Sequence, residues 1–105
     1  MQANAEGKGV VTIVNEGIEE GLGLVITWDM AALPYFAQWN MFASGQYTIG
    51  LEPGNCFPEG RKLARERNTL EYLKPGASKV IDLEISIIQG AQHIHAIQAS
   101  QNYVE

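Results

Sequence analysis

Cysteine is almost absent. Cys56 is the single one in 105 residues, so no internal disulfide can form. A lone thiol suits a reducing compartment, and residues 1–8 lack the charged start and apolar stretch of a signal peptide, which predicts a cytoplasmic location. No run of about 18 apolar residues occurs, so no membrane span is expected. Positive charge is scarce as well. Seven Lys and Arg stand against 12 Asp and Glu, a formal net charge of −5. That balance weighs against a nucleic-acid partner, whose affinity rests on neutralising phosphates. What is present is globular in composition, with 46% hydrophobic and 18% charged residues. The length allows one domain, with the modest stability margin that surface-to-volume scaling leaves so small a core.

Most of the chain reads as strands. Val10-Val11-Thr12-Ile13-Val14 is β-branched and suits a pleated surface. The polar, glycine-bearing Asn15–Gly21 comes next as a turn, its glutamates solvated. Leu22, Leu24, Ile26 and Trp28 then alternate with Gly23, Val25, Thr27 and Asp29, the period of a strand with one face more deeply buried. Asp29 is placed to cap the segment after that strand, and Leu33-Pro34 interrupts pairing because proline has no N–H to donate. Tyr35–Phe42 and Gln46–Leu51 read as a hairpin reversed at Ala43-Ser44-Gly45. Pro53–Asn68 looks irregular, with a short helix over about Arg61–Arg67, and Pro75-Gly76 is a turn signal. Ile81, Leu83, Ile85 and Ile87 give the clearest alternation in the sequence. The alanine- and glutamine-rich stretch from Ala91 to Tyr103 suits a helix. The expectation is an all-β, antiparallel sandwich of about six strands with a short C-terminal helix.

The hairpin yields a register. A turn centred on Ser44-Gly45 sets Ala43 opposite Gln46, Met41 opposite Thr48, Trp39 opposite Gly50 and Ala37 opposite Glu52. Directly opposed residues share a face. One face then carries Glu52, Thr48, Gln46 and Trp39, with Gly50 leaving open space beside the indole. The other carries Tyr47, Ile49 and Leu51 with Phe42, Asn40 and Gln38. A carboxylate, polar groups and an aromatic plate suit a sugar: the ring faces the pyranose C–H groups while polar side chains satisfy hydroxyls. The competing reading makes Trp39 core filler in an ordinary sandwich strand.

Leu33-Pro34-Tyr35-Phe36-Ala37-Gln38-Trp39-Asn40, then Tyr47-Thr48-Ile49-Gly50-Leu51-Glu52-Pro53-Gly54-Asn55-Cys56, resemble the galactose mutarotase-like (aldose 1-epimerase) superfamily, more narrowly an uncharacterised bacterial branch of it. Pro58-Glu59-Gly60-Arg61, Leu73-Lys74-Pro75-Gly76 and Ile81-Asp82-Leu83-Glu84-Ile85 continue the match in order. The resemblance runs over Val10–Ile97 and corresponds to the C-terminal part of much longer relatives. It implies that residues 1–105 are a single, partial domain of a β-supersandwich that binds a monosaccharide or a sugar phosphate. It also implies that Glu52, in the matching Leu-Glu motif, is the general base taking the proton of the anomeric hydroxyl. Trp39, Asn55 and Arg61 are the accompanying substrate-binding candidates. The chemistry requires no metal or organic cofactor. The family's general-acid histidines have no match here, so this chain by itself is expected to hold an incomplete active site. The alternative is a non-catalytic remnant that folds by self-association.

Other groups have simpler readings. His93 and His95 would share a metal only on a strand; on a helix they diverge by about 200°. Arg61, Lys62, Arg65 and Arg67 could hold an anion through forked hydrogen bonds, or form a solvated face. Cys56 is expected to be buried or half-buried. Open sheet edges and an uncovered apolar face predict a homodimer or larger homo-oligomer burying strands such as Lys79–Ile88.

Overall fold

The computed structural model describes residues 3–100. Its elements run β1 (Lys8–Asn15), β2 (Leu22–Asp29), β3 (Tyr35–Ala43), β4 (Gln46–Gly54), α1 (Arg61–Glu66), β5 (Leu83–Gln89) and α2 (Ala91–Ser100). They make two small antiparallel sheets, one of three strands in the order β1-β2-β5 and one of two, β3-β4. The chain is thus mostly β with a C-terminal helix, and it has five strands rather than six among the described residues. Residues 101–103 of the expected helix lie outside the described residues. Neither helix is long and apolar enough to cross a membrane.

Contacts divide the described residues into two compact units, one drawn from residues 3–9 and Trp28–Asp82, the other from Val10–Thr27 and residues 83–100. The first is built on Trp28, which is 1% exposed. Its indole N–H donates to the Leu33 carbonyl at 2.9 Å, so the polar edge of the ring is satisfied where it is buried. Gly9 admits the ring: a Cβ there would sit 2.6 Å from indole Cε2 and Cζ2. Phe36 stacks on Trp28 with centroids 5.6 Å apart, and Leu33 is buried as well. Asp29 plays the capping role expected of it, its Oδ1 accepting from the Ala31 N–H at 3.0 Å. Buried Ala64 anchors α1. The exposed segment 71–80 turns at Pro75-Gly76, where the Ala77 N–H donates to the Lys74 carbonyl at 2.9 Å. It is tied down by Lys79 Nζ, which donates to the Ala32 carbonyl and pairs with Glu71.

The second unit closes on two bare backbone positions. A Cβ on Gly23 would meet Ile88 Cγ1 at 2.8 Å, and one on Gly21 would meet Ile94 Cδ1 at 2.6 Å. Ile88 and Ile94 are accordingly buried, and the Gly90 N–H donates to the Gly21 carbonyl at 2.9 Å where β5 hands over to α2. The Asn15–Gly21 turn forms as expected, with the Gly17 N–H donating to Asn15 Oδ1 and the glutamates exposed.

Three further expectations change. β4 does not end at Leu51 but runs on through Pro53 to Gly54. Proline is tolerated because each strand of a two-stranded sheet is an edge, and its missing N–H need not face the partner. β5 opens at Leu83 rather than Ile81. Its apolar face is turned outward, with Leu83, Ile85 and Ile87 at 45%, 59% and 74% exposure, while Ile88 on the opposite face is buried. Cys56 is exposed rather than buried, because it sits in the bend after β4, beyond the last paired residue.

Candidate functional site

The β3–β4 register is the expected one, from Ala43↔Gln46 through Met41↔Thr48 and Trp39↔Gly50 to Ala37↔Glu52. Alternation and a two-residue reversal, with Gly45 at φ 79°, are enough to set it. Trp39, Met41, Thr48, Gln46 and Glu52 therefore share a face. Trp39 is 48% exposed, so it is not core filler.

Gly50 does not leave open space. A Cβ built on it would lie 3.0 Å from Glu52 Oε1 and 3.5 Å from Trp39 Cβ. The carboxylate thus leans across the bare glycine beside the tryptophan, and Gly50 is the condition for that pose. The Glu52 side chain is exposed and makes no hydrogen bond or ion pair with another described residue. Its oxygens are free to accept from a ligand. On the opposite face Gln38 Nε2 donates to Asn40 Oδ1 at 3.1 Å, so those amides are already partly committed, and the rings of Phe42 and Tyr47 lie 5.9 Å apart.

Trp39 and Glu52 are brought together; Asn55 and Arg61 are not joined to them. Asn55 lies in the bend after β4, and Arg61 is the first residue of α1. Both are exposed, and neither is linked to the hairpin by a hydrogen bond or ion pair. Of the basic cluster, Arg67 finds a partner: its Nη1 donates to Glu59 Oε2 at 2.6 Å. Arg61, Lys62 and Arg65 stay solvated. Glu59 is the group that sequence reasoning missed. Its side chain is largely buried, and its Oε1 has no partner. An eight-residue separation across a bend and a helix leaves no periodic signal by which the pair could have been found. His93 and His95 both lie on α2, where they diverge by about 200°. Among the described residues no group of three or more His, Cys, Asp or Glu is poised to hold a metal ion.

Hairpin, bend and α1 together define a β-rich chain with an aromatic–carboxylate face. A family model described as "Domain of unknown function (DUF4432)" matches residues 1–87, a span that holds Trp39, Glu52, Asn55 and Arg61. The chain belongs to that family. No curated protein and no solved structure matches it.

Proposed function

We propose that the chain is a carbohydrate-binding, aldose 1-epimerase-like protein whose sugar site is the Trp39–Glu52 face of the hairpin. The observation that carries this reading is the unpaired Glu52 carboxylate lying over Gly50, the residue paired with half-exposed Trp39. An aromatic plate accepts the C–H face of a pyranose, and an adjacent free carboxylate accepts from the hydroxyl at the ring edge. In the mutarotase-like reading that hydroxyl is the anomeric one. Glu52 removes its proton while an acid protonates the ring oxygen, the ring opens, and closure gives the other anomer. The fold would then be part of a β-supersandwich, the acid would come from outside these 105 residues, and the setting would be cytoplasmic, which suits an exposed free thiol. Asn55 and Arg61 are secondary contacts in this scheme, Arg61 serving a phosphorylated sugar.

Two-dimensional NMR exchange between the anomers of free aldoses and their phosphates tests it, with binding followed by saturation transfer to the sugar. Trp39→Ala is expected to abolish binding. Glu52→Gln is expected to leave binding largely intact while removing whatever exchange the wild-type chain accelerates, by roughly 10²-fold or more for the loss of a general base. Acceleration that survives Glu52→Gln overturns the catalytic role, and no sugar binding by wild type overturns the whole reading. The outward aliphatic face of β5 favours a second reading, a non-catalytic protein that self-associates.

A further inference from the structure

We propose that β5 is a dimerisation strand, pairing antiparallel with β5 of a second copy about a two-fold axis through Ile85. β5 is an outer strand of the β1-β2-β5 sheet, so one row of its backbone donors and acceptors is unpaired. Natural edges are blunted by lysine, proline, bulges or a covering element. The sequence Leu-Glu-Ile-Ser-Ile-Ile-Gln has no lysine, arginine, proline or glycine, whereas β1, the other edge of that sheet, opens with Lys8-Gly9. Three consecutive positions on the exposed face of β5, Leu83, Ile85 and Ile87, are aliphatic, and only Gln89 at its end is polar. That aliphatic row lacks hydrogen-bonding side chains and is suited to another apolar surface.

The occupant is specified by the pattern of the strand. An isologous contact requires the strand to be complementary to itself reversed. Centred on Ile85, Leu83 meets Ile87, Ile85 meets Ile85, and Ile87 meets Leu83, which places every exposed apolar side chain against another. On the opposite face Glu84 meets Ser86. This is the same hydroxyl–carboxylate pairing that Ser86 Oγ makes to Glu84 Oε1 at 3.3 Å within the strand. The one charge of the strand thus faces a donor. A centre at Glu84 would set two carboxylates face to face, and a centre at Ser86 would set Leu83 against Gln89 and Glu84 against Ile88. Ile85 is the centre that pairs the exposed aliphatic row of β5 with itself and keeps Glu84 opposite a hydroxyl; Ile88 and Gln89 then fall opposite residues 82 and 81, which precede the strand.

Sedimentation of the wild-type chain at micromolar concentration is expected to give twice the chain mass. Ile85→Lys and Ile85→Glu each place like charges together at the axis, and each is expected to be monomeric with an unchanged far-ultraviolet dichroism spectrum. Mixed in equal amounts, they are expected to return to the dimeric mass, because only contact between the two copies of position 85 converts the two repulsions into an attraction. A monomeric wild type overturns the proposal. So do single variants that remain dimeric, or a mixture of folded variants that fails to associate. Should either variant unfold, hydrogen exchange of the wild-type β5 amides decides. Protection that rises with protein concentration supports the pairing, and protection independent of concentration overturns it.

Discussion

A methyl group at position 9 has no room, since the indole of Trp28 already stands 2.6 Å from where it would go. The ring is rigid, buried and held at its N–H by the Leu33 carbonyl, so it cannot step aside. Gly9→Ala is expected to cost about 1–3 kcal/mol, the range for overpacking a filled core, and to lower the thermal midpoint measured by dichroism. Position 50 behaves in the opposite way. It lies mid-strand on an exposed hairpin, and the atom it would crowd is Oε1, the far end of a flexible Glu52 side chain. Gly50→Ala should therefore leave the thermal midpoint unchanged or slightly raised, because glycine is the weaker strand former. The displaced carboxylate should weaken sugar binding, which separates the site from the fold in one substitution. Saturation-transfer NMR alongside a thermal melt reads both halves.

At the scale of the element, α1 shows how a six-residue helix is kept. So short a helix has almost no stability of its own. Its N-cap, Gly60, supplies no side-chain hydrogen bond. Ala64 is buried, and its carbonyl accepts from the N–H groups of Thr69 and Leu70 after Asn68 takes a φ of 57°. Beyond the helix, the Arg67–Glu59 pair ties its end back to its approach. Glu59 is the more buried partner, so removing Arg67 strands a carboxylate while removing Glu59 frees an exposed guanidinium. Arg67→Ala is expected to destabilise by about 1–3 kcal/mol, and Arg67→Ala combined with Glu59→Gln by clearly less. Urea unfolding of the two single variants and the double variant measures the coupling. The hairpin and its register were legible from Tyr35–Leu51 alone, because strand alternation and a glycine-assisted reversal are both local. The Glu59–Arg67 tie was not legible, since its partners meet only after a bend and a helix have brought them round.

For the whole molecule, the buried apolar side chains among the described residues are few: Ile26, Trp28, Leu33, Ala64, Ile88 and Ile94. Against them stand exposed Trp39, Phe42, Tyr47, Tyr72, Val80 and Ile87, among others. Burial contributes roughly 25 cal/mol per Å² of apolar surface, so covering these side chains would add to stability. If β5 pairs with its copy, association is part of folding, and the thermal midpoint should rise with protein concentration. Melts over a hundred-fold range of concentration check this, and an invariant midpoint would count against any obligate assembly. Family membership rests on residues 1–87, which include the hairpin and most of β5.

From sequence alone came the mostly β character, the turns, the hairpin and the neighbourhood of Trp39 and Glu52, all of which depend on period-two patterning and on residues a few positions apart. The sequence also marked Leu83, Ile85 and Ile87 as one face of a strand. Alternation identifies two faces without saying which one meets the core. That choice was made by Gly21 and Gly23, whose missing side chains let Ile94 and Ile88 close on their side of the sheet and left the longer aliphatic row outside. The pose of Glu52 has the same origin. Its place on the strand comes from counting, but its carboxylate lies beside Trp39 only because the three-dimensional hairpin sets a bare glycine between them.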